Sequence, residues 1–65
     1  MTTAQAMKYL IEKELGITLI LSSNVNVHIF KDVKGIISKG EYGNGDIVEF
    51  DYWNYKDSNW IRLIG

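Results

Sequence analysis

The first part of the chain repeats its apolar residues at helical spacing. Ala4, Met7, Ile11 and Leu15 recur every three or four positions with Leu10 beside them, while Lys8, Glu12 and Lys13 fall elsewhere on the wheel. Thr2 and Gln5 stand at capping-box spacing, the threonine hydroxyl able to accept from the Gln5 N–H while the glutamine reaches back. Gly16 supplies a left-handed stop. The pattern predicts an amphipathic helix from Thr3 to Leu15, and residues 1–16 form the helical part of a single domain.

Beyond Gly16 the period shortens. β-Branched and aromatic residues recur in short runs separated by Gly, Asn, Asp and Ser, the punctuation of consecutive strands. Ile17 to Leu21 reads as a buried strand, and Val25, Val27 and Ile29 alternate with Asn24, Asn26 and His28 in the next. Val33 to Ser38 is a third run. Gly40, Gly43 and Gly45 bracket a turn around Asn44, and Ile47 to Trp53 follows as a strand. Its charges assign the faces: Val48, Phe50 and Tyr52 inward, Ile47, Glu49, Asp51 and Trp53 outward. Asn54 to Asn59 has the composition of a hairpin loop, and Trp60 to Ile64 returns as the last strand with Ile61 and Leu63 inward. About five short strands at this spacing predict a mainly β fold, a small barrel over residues 17–65 preceded by the helix.

Composition narrows the choice of function. With 65 residues the chain is one domain at most, and a core of that size is marginal by itself. It has no cysteine and one histidine, so neither a disulfide framework nor a zinc-type ligand cluster can be assembled; oligomerisation is the remaining staple. The net charge of −1 and the lack of any run of Lys or Arg remove the main driving force for nucleic acid. The longest apolar run, Ile17 to Leu21, is too short to cross a bilayer, and the start of the chain has no basic region followed by an apolar stretch. The expected location is therefore the cytoplasm of the producing cell, with action elsewhere depending on release by something else.

From about Leu19 to Gly65 the sequence resembles the bacterial SH3-like domains that follow amidase or peptidase domains in lytic enzymes of Gram-positive hosts and their phages. Four stretches carry the likeness: Asn26-Val27-His28, Gly40-Glu41-Tyr42-Gly43-Asn44-Gly45, Val48-Glu49-Phe50-Asp51 and Trp60-Ile61-Arg62-Leu63. They occur in the family's order and at its spacing. His28 stands at the family's usual arginine, Leu63 at a frequent aromatic, and the family commonly continues past the tryptophan strand into one that closes the barrel. The resemblance implies an SH3-like barrel that binds peptidoglycan, its interpeptide bridges or associated wall polymers without catalysis. It also implies a phage endolysin as the parent enzyme, with Met1 an internal translation start or the edge of an excised segment.

Several residues bear on such a site. Trp53 and Tyr55, beside charges and a polar loop, are expected to contact ligand with help from Asp51, whereas Phe50 and Tyr52 are expected in the core. Trp60 and Tyr42 are open between the two roles. His28 and Asn26 lie in the polar register of their strand; His28 is either a solvated surface histidine or a donor to a wall-peptide carboxylate or carbonyl. Asp46, Glu49 and Asp51 show no burial that would split their proton affinities into an acid and a base, and the Gly40–Gly45 turn lacks the lysine and hydroxyl of a phosphate loop. No catalytic residue, metal or cofactor is expected.

The apolar stripe of Met7, Leu10, Ile11 and Leu15 is expected to cover the barrel's flank and to contribute to a homo-oligomer interface, dimeric or tetrameric. The expected partners are the Gram-positive cell wall, further copies of the chain and the full-length catalytic enzyme. A small phage protein that binds and blocks a host protein is the alternative from a different class. A single-stranded nucleic-acid barrel is a third reading, which the charge disfavours.

Overall fold

The structure, a computed structural model, describes residues 1–63. Its elements in chain order are α1 (Thr3–Glu12), β1 (Thr18–Leu21), β2 (Asn24–Lys31), β3 (Ile37–Glu41), β4 (Ile47–Glu49), a 3-10 helix (Tyr52–Tyr55) and β5 (Trp60–Arg62). The fold is mainly β: one helix followed by a five-stranded antiparallel sheet in the order β4-β3-β2-β1-β5. The last strand thus returns to pair with the first.

The helix begins where local chemistry fixes it. Both halves of the Thr2–Gln5 capping box are formed, Gln5 N–H to Thr2 Oγ1 at 3.2 Å and Thr2 N–H to Gln5 Oε1 at 2.9 Å. It ends three residues before Leu15. Lys13 is the C-cap, and the Lys31 ammonium, reaching over from β2, donates to the Ile11 carbonyl at 3.3 Å and also to that of Lys13. These two carbonyls at the helix end thereby gain a cationic donor. Gly16 does adopt a positive φ of 98°, but in the turn into β1.

The buried face is also rotated from the expected stripe. Thr3, Ala6 and Leu10 face the core, Met7 is half-buried against it, and Ala4, Ile11 and Leu15 are exposed. Thr3 explains the rotation. Its hydroxyl accepts from the Trp60 indole N–H at 2.9 Å and donates to the Tyr55 carbonyl, so one polar residue ties the first helical turn to both the 3-10 helix and β5. A buried indole N–H needs such a partner.

Around this hub Leu10, Leu19, Leu21, Val27, Ile29, Ile37, Phe50 and Trp60 form the core. Leu19 and Leu21 alternate inward on β1, and Val27 and Ile29 on β2. Other expectations fail in register or extent. The run Val33 to Ile36 is a turn, with Asp32 Oδ1 accepting from the N–H groups of Lys34 and Ile36, and the third strand starts at Ile37. β4 keeps only three residues, and Val48 is exposed, because it lies at the sheet edge where no element covers it. On β5 the parity is opposite to that expected: Trp60 is fully buried while Ile61 and Leu63 are exposed. The indole has far more apolar area to lose from water than either aliphatic chain. Ile64, read as the end of this strand, lies outside the described residues.

The segment read as a hairpin loop is a crossing. From β4 the chain passes through Phe50, turns in the 3-10 helix and reaches β5, which pairs with β1 in the register Leu19–Arg62, Ile20–Ile61 and Leu21–Trp60. Asp51 starts the short helix by accepting from Trp53 N–H at 3.1 Å.

Candidate functional site

Strands β2 and β3 place His28 directly opposite Gly40, and β4 adds Ile47 on the far side of the glycine. The imidazole lies over Gly40: a Cβ there would come within 2.7 Å of His28 Nε2. Glycine at this point leaves the room above the strand that the ring occupies. Phe30, two residues along the same face of β2, stacks on one side at 5.9 Å and 20°, and Tyr42 on the other at 4.3 Å and 22°.

The rings therefore form a near-parallel ladder ending at Tyr42, which is 52% exposed. Tyr42 is held by its backbone, donating N–H to the Asn26 carbonyl at 2.9 Å, while Asn24 Oδ1 accepts from Asn26 N–H at 3.1 Å. After Tyr42 the chain turns through Gly43 and Gly45, both with positive φ. The result is a shallow cleft of about 240 Å³ lined by His28, Gly40, Tyr42, Gly43, Asp46 and Ile47. Its floor is glycine and its wall aromatic, so extended peptide or saccharide can approach backbone and ring faces together. Asp46 and Glu41 at its margin favour ligands that bring hydrogen-bond donors or positive charge. His28 Nδ1 is buried and has no hydrogen-bond partner among the described residues.

Asn26, His28 and Tyr42 thus come together, with Phe30, Gly40 and Ile47 as members that the sequence reading did not select. The remaining expected residues form a separate group. Trp53 is 76% exposed and meets Tyr52 edge-on at 5.5 Å. Asp51 is engaged in structure, accepting from Trp53 N–H and from the Asn54 amide at 2.8 Å. Tyr55 is half-buried between Phe50 at 5.6 Å and Trp60 at 5.8 Å, with the Lys39 ammonium 5.9 Å from its ring. Trp60 has no exposed surface and belongs to the core rather than to any ligand site.

The residues assigned to an oligomer interface divide in the same way. Leu10 is 1% exposed inside its own core and Met7 is half-buried, which leaves Ile11 and Leu15 as exposed apolar residues on α1. Among the described residues no three His, Cys, Asp or Glu side chains gather as a metal site, and no helix is long and apolar enough to cross a membrane. No family model matches the chain, and no curated protein or solved structure is significantly similar to it.

Proposed function

We propose that this chain is a non-catalytic binding module that targets a phage endolysin to the Gram-positive cell wall, with the His28–Tyr42 cleft as its ligand site. The observation that carries the reading is the seating of His28 on Gly40 beside an exposed Tyr42, which brings two residues of the wall-binding resemblance, His28 and Tyr42, to one glycine-floored cleft, with the Asn26 carbonyl holding the Tyr42 backbone behind it. The sheet order, with the last strand returning to the first after a 3-10 helix, supports the SH3-like part of the reading. Wall peptide or glycan would lie along the ring faces and backbone, held by contact area and amide hydrogen bonds and undergoing no bond cleavage.

A second reading, a module that blocks a host protein, draws on Trp53, whose exposed indole is the kind of anchor protein interfaces use. Sedimentation of the chain with purified Gram-positive walls separates the two. Tyr42→Ala is expected to weaken wall binding about tenfold, the scale of losing one well-placed aromatic contact, with an unchanged circular-dichroism spectrum. Wall binding that survives Tyr42→Ala but is lost in a folded Trp53→Ala would move the site to the 3-10 helix. A chain that does not sediment with walls at all would remove the wall-binding reading.

A further inference from the structure

The two edges of the sheet end differently. At β5, Trp60 exchanges both backbone hydrogen bonds with Met1, each 2.7 Å long, and Thr2 bridges Asn59. The segment before α1 therefore covers that edge at Asn59 and Trp60. β4 has no such cover. Phe50 N–H donates to the Ile37 carbonyl at 2.9 Å, and hydrogen-bonded pairs recur every second residue of an antiparallel ladder, so Val48 faces Lys39. The N–H and C=O groups of Ile47 and Glu49 consequently point off the sheet, and no described residue takes them up. Ile47 is 62% and Val48 51% exposed on the same edge.

We infer that β4 is a self-pairing edge, through which two copies of the chain join antiparallel about a two-fold axis at Val48. In this register Ile47 of each copy lies opposite Glu49 of the other, and each such pair exchanges both backbone bonds, so every outward group of the strand is satisfied. Val48 meets its own copy in the close, non-hydrogen-bonded position, apolar against apolar. The charges select the register. Centring on Glu49 would set the two carboxylates opposite each other, and centring on Ile47 would pair Glu49 with Gly45 beyond the strand.

A second copy fits this edge better than an unrelated strand because the edge is complementary to itself, and a closed pair leaves no free β4 for further growth. The pairing also takes the place of the α1 stripe, from which Leu10 is lost to the core. Because the axis runs perpendicular to the sheet, both copies keep the same face upward. Ile47 belongs to the joint and to the cleft, so the two His28–Tyr42 clefts open side by side on one surface. On any repetitive ligand such a pair binds with avidity.

Light scattering and sedimentation from micromolar to millimolar concentration test the proposal. The wild-type mass is expected to rise from the 7.5 kDa of one chain toward twice that value. Val48→Asp and Val48→Lys, at an exposed position, are each expected to stay at the single-chain mass through like-charge repulsion at the axis. Their equimolar mixture is expected to recover the double mass. Ile47→Pro removes a donor that points off the sheet, and is expected to give a folded single chain. Ile11→Asp on α1 is expected to leave association intact. The proposal fails if the wild type holds the single-chain mass at millimolar concentration, or if Val48→Asp and Val48→Lys associate by themselves. It fails equally if their mixture does not recover the double mass, or if Ile11→Asp abolishes association while the Val48 variants retain it.

Discussion

Two groups of three rings lie on opposite faces of one sheet, and they do different work with the same materials. Phe50 stacks on Tyr55 at 28°, and Trp60 meets Phe50 edge-on at 85° and Tyr55 at 59°. Phe30, His28 and Tyr42 form a near-parallel stack, 20° and 22° apart, on the other face of β2 and β3. What differs is the surroundings. The first group is closed over by α1 and fastened by the Thr3 hydroxyl, while the second rests on Gly40 and ends in an exposed tyrosine. The covered rings stabilise the domain, whereas the ladder ends in a half-exposed Tyr42 that keeps ring surface for something else. Aromatic content by itself therefore does not locate a binding site, but what covers the rings does.

The largest expected effect breaks the covered group. Trp60→Ala removes the largest fully buried side chain, leaves Thr3 without its indole donor and opens a cavity at the meeting point of α1, β5 and the 3-10 helix. A cost of about 3–5 kcal/mol is expected, a large part of the stability of a domain this small. Urea unfolding followed by circular dichroism should show no cooperative transition at ambient temperature. A midpoint close to wild type would mean that Trp60 is not the centre of the core.

The contrast between the two groups was only partly legible in the sequence, and the limits have physical causes. The helix start was legible because Thr2 and Gln5 meet within one turn. Its buried face was not: a hydrophobic wheel has no way to weigh Thr3, whose burial depends on an indole some 57 residues away. Asn26, His28 and Tyr42 could be picked out from short motifs, but their meeting depends on register. Gly40 reads as a turn residue until β2 pairs with β3 and sets His28 upon it. Trp53 was legible as outward from the charges and polar loop beside it, and it is exposed. Trp60, open between core and ligand site in the sequence, is assigned to the core only when β5 pairs with β1, which no run of alternating residues reveals.

A middle-sized effect tests the open group. Gly40→Ala puts a methyl where the imidazole lies, and His28, held between Phe30 and Tyr42, has to leave its seat. The expected cost is about 1–3 kcal/mol, together with loss of ligand binding at the cleft. The variant sharpens the comparison because its cause can be isolated. In a His28→Ala background the added methyl meets no ring, so the double variant should be no less stable than His28→Ala alone. Equal costs of Gly40→Ala in both backgrounds would place the strain in the strand backbone and take away the room needed by His28 as the reason for glycine.

The smallest effect concerns the residue that links the comparison to chemistry, Asp51. Its carboxylate sits beside exposed Trp53 and reads as part of a binding surface, yet both of its oxygens are engaged locally, Oδ1 with Trp53 N–H and Oδ2 with the Asn54 amide. A capping role predicts that Asp51→Ala costs about 1 kcal/mol through a looser 3-10 helix, since exposed caps contribute on that scale. It further predicts that Asp51→Asn recovers most of the loss, because an amide oxygen still accepts from Trp53 N–H and the lost charge lies at an exposed, salt-screened position. A ligand-binding carboxylate behaves in the opposite way: Asn would leave stability intact and still lose affinity, because the charge rather than the local turn would be what the ligand meets. Measuring urea midpoints and wall binding for wild type, Asp51→Ala and Asp51→Asn separates these outcomes. Retained wall binding with an Asn-rescued midpoint assigns Asp51 to the fold, whereas weakened binding in both variants at unchanged midpoints would return it, and the 3-10 helix with it, to the ligand surface.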